Sequence, residues 1–118
     1  MHDNGTIKSF IVQEYLANTF LYKGRKFDIR HYLMITNTEG TIRGYFYREG
    51  YIRTSSFKYS PDNVKSLVHL TNDSIQKQSR EYGKHEKGNK LSYAEFEKYL
   101  RDHYPQYSFF RDIAPRIK

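Results

Sequence analysis

A chain of 118 residues has room for one compact domain and hardly two, and at 37% hydrophobic its core must lean on 12 Tyr and 8 Phe. Twenty Lys and Arg against 13 Asp and Glu leave a net charge of +7, which favours nucleic acid, an anionic lipid surface, nucleotide phosphates or an acidic protein tail as partner. The absence of cysteine excludes disulfides, zinc–thiolate sites and thiol nucleophiles.

Residues 1–10 show no leader pattern, and no apolar run approaches the ~20 residues of a spanning helix, so the chain reads as soluble and intracellular. The first element expected is a strand over 10–15, closed by a turn at KGR (23–25). Residues 26–36 read as one strand, alternating at first and then apolar throughout, as in a central strand. NTEG (37–40) predicts a turn, 41–48 a strand, Glu49–Gly50 a tight hairpin, and 51–59 a third strand. The economical arrangement of 26–59 is a three-stranded antiparallel meander. SPDN (60–63) breaks the chain and opens a short helix, 67–79 has no clear period, and 81–90 reads as a surface loop. Residues 92–104 predict a helix with Ser92 and Glu95 as its capping box and Phe96, Tyr99, Leu100 and Tyr104 as its buried stripe. The segment from Pro105 onward looks cut rather than finished.

Lys26, Asp28 and Arg30 fall on one face of the 26–36 strand, about 6–7 Å apart. Folding does not require that pattern. It is either a solvated face with cross-neighbour ion pairs, worth little, or a ligand face, with Lys and Arg for phosphates or carboxylates and Asp for a sugar hydroxyl. Arg48, beside the expected turn, is either an ordinary exposed hairpin arginine or within reach of the Arg30 end of a neighbouring strand. HLTN (69–72) offers a hydroxyl and an amide, although such residues also simply make turns. There is no GxxxxGK[ST] and no GxGxxG, and His2, His31, His69, His85 and His103 form no HExxH or close metal pairing. No nucleophile–base cluster and no metal site is read.

Four ordered blocks then combine: VQEYL (12–16), GRKFDIRHYLMIT (24–36), YFYREGYIRTSSFKYS (45–60) and HLTNDSIQK (69–77). Together they resemble the tubulin–tyrosine ligase family, which includes the tubulin polyglutamylases and polyglycylases. SREYGKHEKGNKLSYAEFEKYL (79–100) is most similar to the tyrosine-ligating branch. The resemblance implies an α+β fold, a single partial ATP-grasp domain over 1–118 built as an antiparallel β-meander with flanking helices and truncated at both ends. It implies ATP and Mg²⁺ as cofactors and, as partners, the acidic C-terminal tail of tubulin and a free amino acid, with neither nucleic acid nor membrane. A cytoplasmic place, with the microtubule cytoskeleton or cilium, follows from the same resemblance.

Carried over residue by residue, the resemblance gives Gln13, Glu14, Tyr15 and Leu16 to adenine, mainly through their backbone, and Lys26, Asp28, Thr71 and Asn72 to the rest of ATP. Arg30 and Arg48 match the catalytic arginines near the reacting carboxylate and γ-phosphate. Arg48 and Asp73 fall at the substrate. The implied chemistry is attack of a tail carboxylate on the γ-phosphate to give an acyl phosphate, which the amine of the incoming amino acid then opens; tyrosine is the first expectation, glutamate or glycine the alternative. Asp73 stands where glutamylase-type members often carry an aromatic, which argues against glutamylation without assigning tyrosine. The Mg²⁺-binding strand of the family would lie beyond Lys118, so this chain alone is expected to be inactive. A non-catalytic tubulin-tail-binding module is the second reading. A sheet stacking single-stranded nucleic acid on Tyr45, Tyr47, Tyr51 and Tyr59 is a distant third, since no RNP-type motif accompanies them.

Overall fold

The computed structural model describes residues 9–117; residues 1–8, read above as lacking a leader, and Lys118 lie outside the described residues. Among the described residues there are five strands: β1 (Phe27–Arg30), β2 (Leu33–Thr38), β3 (Thr41–Phe46), β4 (Tyr51–Thr54) and β5 (Lys90–Ser92). With two one-turn helices, α1 (Ser66–His69) and α2 (Asp73–Gln76), and the longer α3 (Tyr93–His103), they make an α+β arrangement.

The expected meander does not form. β1 pairs antiparallel with β4, and β4 with β5, while β2 and β3 make a separate two-stranded sheet. The single strand expected over 26–36 breaks at His31–Tyr32, where alternation gives way to an unbroken apolar run. That change of pattern marks a change of sheet. The turn at 37–40 is where the sequence places it: Glu39 (φ 51°) and Gly40 (φ 81°) form a two-residue loop of the type I′ kind between Thr38 and Thr41. The hairpin expected at Glu49–Gly50 is instead a connection between sheets, because β3 ends at Phe46 and β4 pairs elsewhere. Residues 10–15 form no strand and lie exposed.

α3 follows its sequence signals closely. Ser92 Oγ accepts the Glu95 amide at 3.2 Å, and the Glu95 carboxylate accepts the Ser92 amide at 2.7 Å. The helix lays Tyr93, Phe96, Tyr99 and Leu100 on Ile52 and Leu91, with Phe27 and Ile29 packed around them. Phe109 completes this core fully buried, on a π turn over Phe109–Ile113 whose start is fixed by Glu97: its carboxylate accepts the Ser108 hydroxyl (2.9 Å) and the Phe109 amide (2.5 Å). The segment read as cut therefore folds back onto the core.

The expected surface loop 81–90 also turns inward. Arg25, 3% exposed, forks onto Glu86 at 2.9 and 2.5 Å and donates to the Ser55 carbonyl. Asn89 donates to the Thr54 carbonyl (3.0 Å) and Ser56 hydroxyl (2.9 Å) and accepts the Gly83 amide (2.7 Å). Buried Gln76 accepts the Ser56 amide at 2.8 Å and donates to the Leu67 and Leu70 carbonyls. These side chains satisfy the backbone where β4 leaves its ladder, and they anchor an otherwise exposed or half-buried loop through buried Asn89 and the nearly buried Glu86.

Candidate functional site

The alternation in β1 has a direct structural result. Phe27 and Ile29 face the core, so Lys26, Asp28 and Arg30 face the other side. β4 is in register with them, Asp28 opposite Arg53 and Arg30 opposite Tyr51, and β5 adds Lys90 opposite Arg53. One sheet face thus carries four cations and one carboxylate.

Asp28 is the centre of this face. It takes a two-pronged ion pair from Arg53 (Nε to Oδ1 2.8 Å, Nη2 to Oδ2 2.9 Å) and a hydrogen bond from the buried Thr71 hydroxyl. The carboxylate hydrogen bonds raise the Arg53 guanidinium above its ordinary value. Half of the bland reading therefore holds, since Asp28 does have a cross-strand ion partner. Thr71, brought in from the α1–α2 connection, ties that connection to β1.

Lys26 sits in an aromatic corner. Its ammonium lies 4.4 Å from the Tyr15 ring centre and 5.4 Å from that of Tyr59, and it donates to the Tyr15 oxygen at 2.7 Å. Tyr15 in turn meets His69 Nδ1 at 2.6 Å, and His69 Nε2 meets the Asn63 carbonyl. A carbonyl only accepts, so Nε2 carries the hydrogen and Nδ1 accepts from the Tyr15 hydroxyl. Tyr59 donates to the Ala17 carbonyl at 2.6 Å and lies edge-on to His69. These contacts hold the exposed segment 13–16, whose Gln13, Glu14 and Leu16 side chains point to solvent, against the rim of the sheet.

Arg30 and Arg48 are both exposed, and no carboxylate among the described residues pairs with either. Arg30 lies 5.4 Å from the Tyr32 ring. Arg48 lines a cavity of about 160 Å³ with His31, Phe46, Tyr93 and Phe110. Asn72 starts α2 without using its side chain as a cap. Asp73 bonds Lys77 (2.8 Å) and the Tyr82 hydroxyl (2.7 Å) and lies 3.7 Å from Lys90, and the first two of these hold its carboxyl below the usual range.

Two linked sets thus stand on this face, Lys26 with Tyr15, Tyr59 and His69, and Asp28 with Arg53 and Thr71, with Arg53, Tyr59 and His69 as unforeseen members. Arg53 was marked by its period-two position after Tyr51; the roles of Tyr59 and His69 depend on a segment from elsewhere in the chain. Among the described residues no group of three or more His, Asp or Glu lies close enough to hold a metal ion, and no helix is long and apolar enough to cross a membrane.

Comparison with known proteins places the whole face in context. The model of the tubulin-tyrosine ligase family matches residues 1–118. Tubulin glycylase 3B of Drosophila melanogaster is 35% identical over 102 residues, covering 83% of this chain and 14% of the relative. Tubulin polyglutamylase TTLL7 of Mus musculus is 34% identical over 115 residues, 91% of this chain and 12% of the relative. The probable tubulin polyglutamylase TTLL9 of Rattus norvegicus is 33% identical over 99 residues, 83% and 21% respectively. The chain thus spans between 12 and 21% of the length of these last two relatives.

Proposed function

This chain belongs to the tubulin-tyrosine ligase family, and on that premise we propose that it is the nucleotide- and carboxylate-binding part of an ATP-dependent ligase that adds an amino acid to the acidic tail of tubulin. The expectation of tyrosine as that amino acid gives way here. The relatives it matches are named as glycylases and polyglutamylases, so glycine or glutamate is the better-supported substrate. The ATP-grasp architecture belongs to the same proposal.

The observation that carries the reading is that Arg30 and Arg48 are both exposed and, among the described residues, without carboxylate partners, whereas Arg53 on the face of β1 and β4 is already paired. Guanidinium forks suit a phosphate and a carboxylate alike and stabilise the charge that builds as one is transferred to the other. Lys26, with its aromatic corner, and the 13–16 segment would hold the base. Asp28 and Thr71 would hold the ribose side, and Asn72 keeps its amide available. A tail carboxylate attacks the γ-phosphorus and ADP leaves; the amine of the amino acid then attacks the acyl carbon and inorganic phosphate leaves. Arg30 and Arg48 neutralise oxygen charge in both steps. The described residues do not offer a donor set for Mg²⁺, so no step is assigned to that ion here, and the chain by itself is expected to bind nucleotide without turnover.

Calorimetry with ATP and Mg²⁺ tests this. Arg48→Ala and Asp28→Asn should each weaken binding on the order of tenfold, the loss of one charge-assisted contact. A well-folded chain that ignores ATP sinks the nucleotide reading. If that chain still binds an acidic tubulin-tail peptide, the non-catalytic module becomes the better account.

A further inference from the structure

Arg30 and Arg48, which have no carboxylate partner among the described residues, sit at or just past the ends of strands in different sheets. Arg30 ends β1, which pairs with β4, while Arg48 follows β3, which pairs with β2. Sheet hydrogen bonding sets part of their separation, because the Tyr47 amide donates to the Tyr32 carbonyl in register with the β2–β3 ladder. A corner built around His31 sets the rest. His31 Nε2 meets the Tyr47 carbonyl at 2.5 Å, and its Nδ1 meets the Tyr93 hydroxyl at 2.8 Å. The Tyr47 amide donates to the Tyr32 carbonyl at 3.1 Å, so the peptide groups on both sides of residue 47 are tied to residues 31 and 32. The imidazole also stacks on Phe46, 4.0 Å between ring centres and 18° from parallel.

The far end of the Arg48 loop closes on the same corner. A Cβ on Gly50 would sit 2.1 Å from the Tyr93 hydroxyl oxygen and 2.4 Å from the Arg30 carbonyl oxygen, so only glycine lets the loop lie there. The Tyr93 oxygen is itself 3.3 Å from the Arg30 carbonyl. Because Tyr47 offers only a carbonyl, Nε2 of His31 carries the hydrogen, and Nδ1 is left to accept from Tyr93. Burial, and secondarily the charge of Glu49, raises the Tyr93 hydroxyl above its usual value, and at neutral pH it is a donor as any tyrosine is. One imidazole thus bridges the backbone next to Arg30 and the backbone next to Arg48.

We propose that His31, with Tyr93, is a positioning residue that pins the Arg48 loop to the Arg30 end of β1 so that both guanidiniums meet one anionic centre. The inference rests on the assignment of Arg30 and Arg48 to phosphate and carboxylate given above. His31 touches no substrate in this account; it acts through the peptide groups on either side of it and of Tyr47.

The test uses the full 118-residue chain. His31→Phe keeps the stacking on Phe46 and removes both hydrogen bonds, Tyr93→Phe removes one, and His31→Gln offers a donor and an acceptor again. Amide exchange at Tyr47 and Arg48 reads the latch without nucleotide, and affinities for ATP with Mg²⁺ and for adenosine read its consequence. In His31→Phe, exchange at Tyr47 should quicken and ATP affinity fall on the order of tenfold while adenosine affinity holds. His31→Gln should recover much of both, and His31→Phe/Tyr93→Phe should lose little more than His31→Phe alone. Unchanged exchange at Tyr47 and Arg48 in His31→Phe overturns the latch whatever ATP does. A parallel fall for ATP and adenosine, or an unchanged ATP affinity where Arg48→Ala lowers it, overturns the positioning role. If Arg48→Ala leaves ATP affinity intact, the arginine assignment fails, and with it the functional half of the inference, while the exchange data still judge the latch.

Discussion

Two isoleucines mark the two halves of this chain. Ile52 in β4 is fully buried, whereas Ile35 in β2 is 66% exposed, although each lies within an antiparallel ladder. The difference is what lies on the faces of the strand. β4 has α3 and Phe109 across one face and the Asp28–Arg53 pair on the other. Among the described residues the β2–β3 hairpin has no such cover: Leu33, Met34, Ile35 and Ile42 are all at least 58% exposed. Hydrophobicity alone put both segments in strands, but only packing against a second layer buries one. A lone two-stranded hairpin is marginal in water, so the backbone ties between residues 31–32 and 47 at its base matter more to it than its apolar side chains.

The widest gap between the halves should appear on truncating the closed side. Phe96 is completely buried among Tyr22, Phe27, Tyr99 and Phe109. Phe96→Ala removes that filling and leaves a cavity, at an expected cost of about 3–5 kcal/mol. Urea unfolding followed by circular dichroism measures it. A loss below ~1 kcal/mol would mean that the core is not packed around this ring and would erase the contrast with the hairpin.

Legibility did not follow this divide. The capping box at Ser92 and Glu95, the stripe of Phe96, Tyr99 and Leu100 and the Glu39–Gly40 turn are local patterns, and local patterns can be read from neighbours in the chain. The alternation from Lys26 to Arg30 correctly sorted core from site. It was silent on which strand lies alongside, because period two names a face and not a partner. The true partner of β1, three strands further along the chain, followed from pairings between distant residues. Gln76, Asn89, Arg25 and Glu86 were illegible for another reason: polar residues read as surface until the backbone groups they satisfy, at Thr54, Ser55 and Ser56, are known to be buried.

A middle-sized effect is expected at the start of α3. Ser92→Ala deletes the side-chain acceptor of the capping box, at about 1 kcal/mol. The Ser92 amide first, and its hydroxyl second, hold the Glu95 carboxyl below its ordinary value. A carboxyl lowered on folding contributes stability above its unfolded pKa and loses it as pH falls through the folded one. The wild type should therefore lose more stability than Ser92→Ala between neutral pH and the acid limb below the ordinary glutamate range. Thermal melts across that window decide it. Equal acid losses in the two proteins would show that the hydroxyl adds nothing to what the Ser92 amide does for the carboxylate.

The smallest effect belongs to the open side, and its smallness is the point. Ile35→Thr keeps a β-branched residue in the ladder opposite Gly44 and removes apolar surface that is already in water. Within this chain the change should stay inside ±0.5 kcal/mol in the same urea experiment, as substitutions on an uncovered surface do. A loss well above ~1 kcal/mol would show that Ile35 is covered in solution, and a sedimentation run on both proteins would then tell whether a second copy supplies the cover. If the loss is nil and both proteins are monomers, the hairpin stands on the ties between residues 31–32 and 47 alone. Its two faces then serve as the support for the Arg48 loop and add nothing to the core.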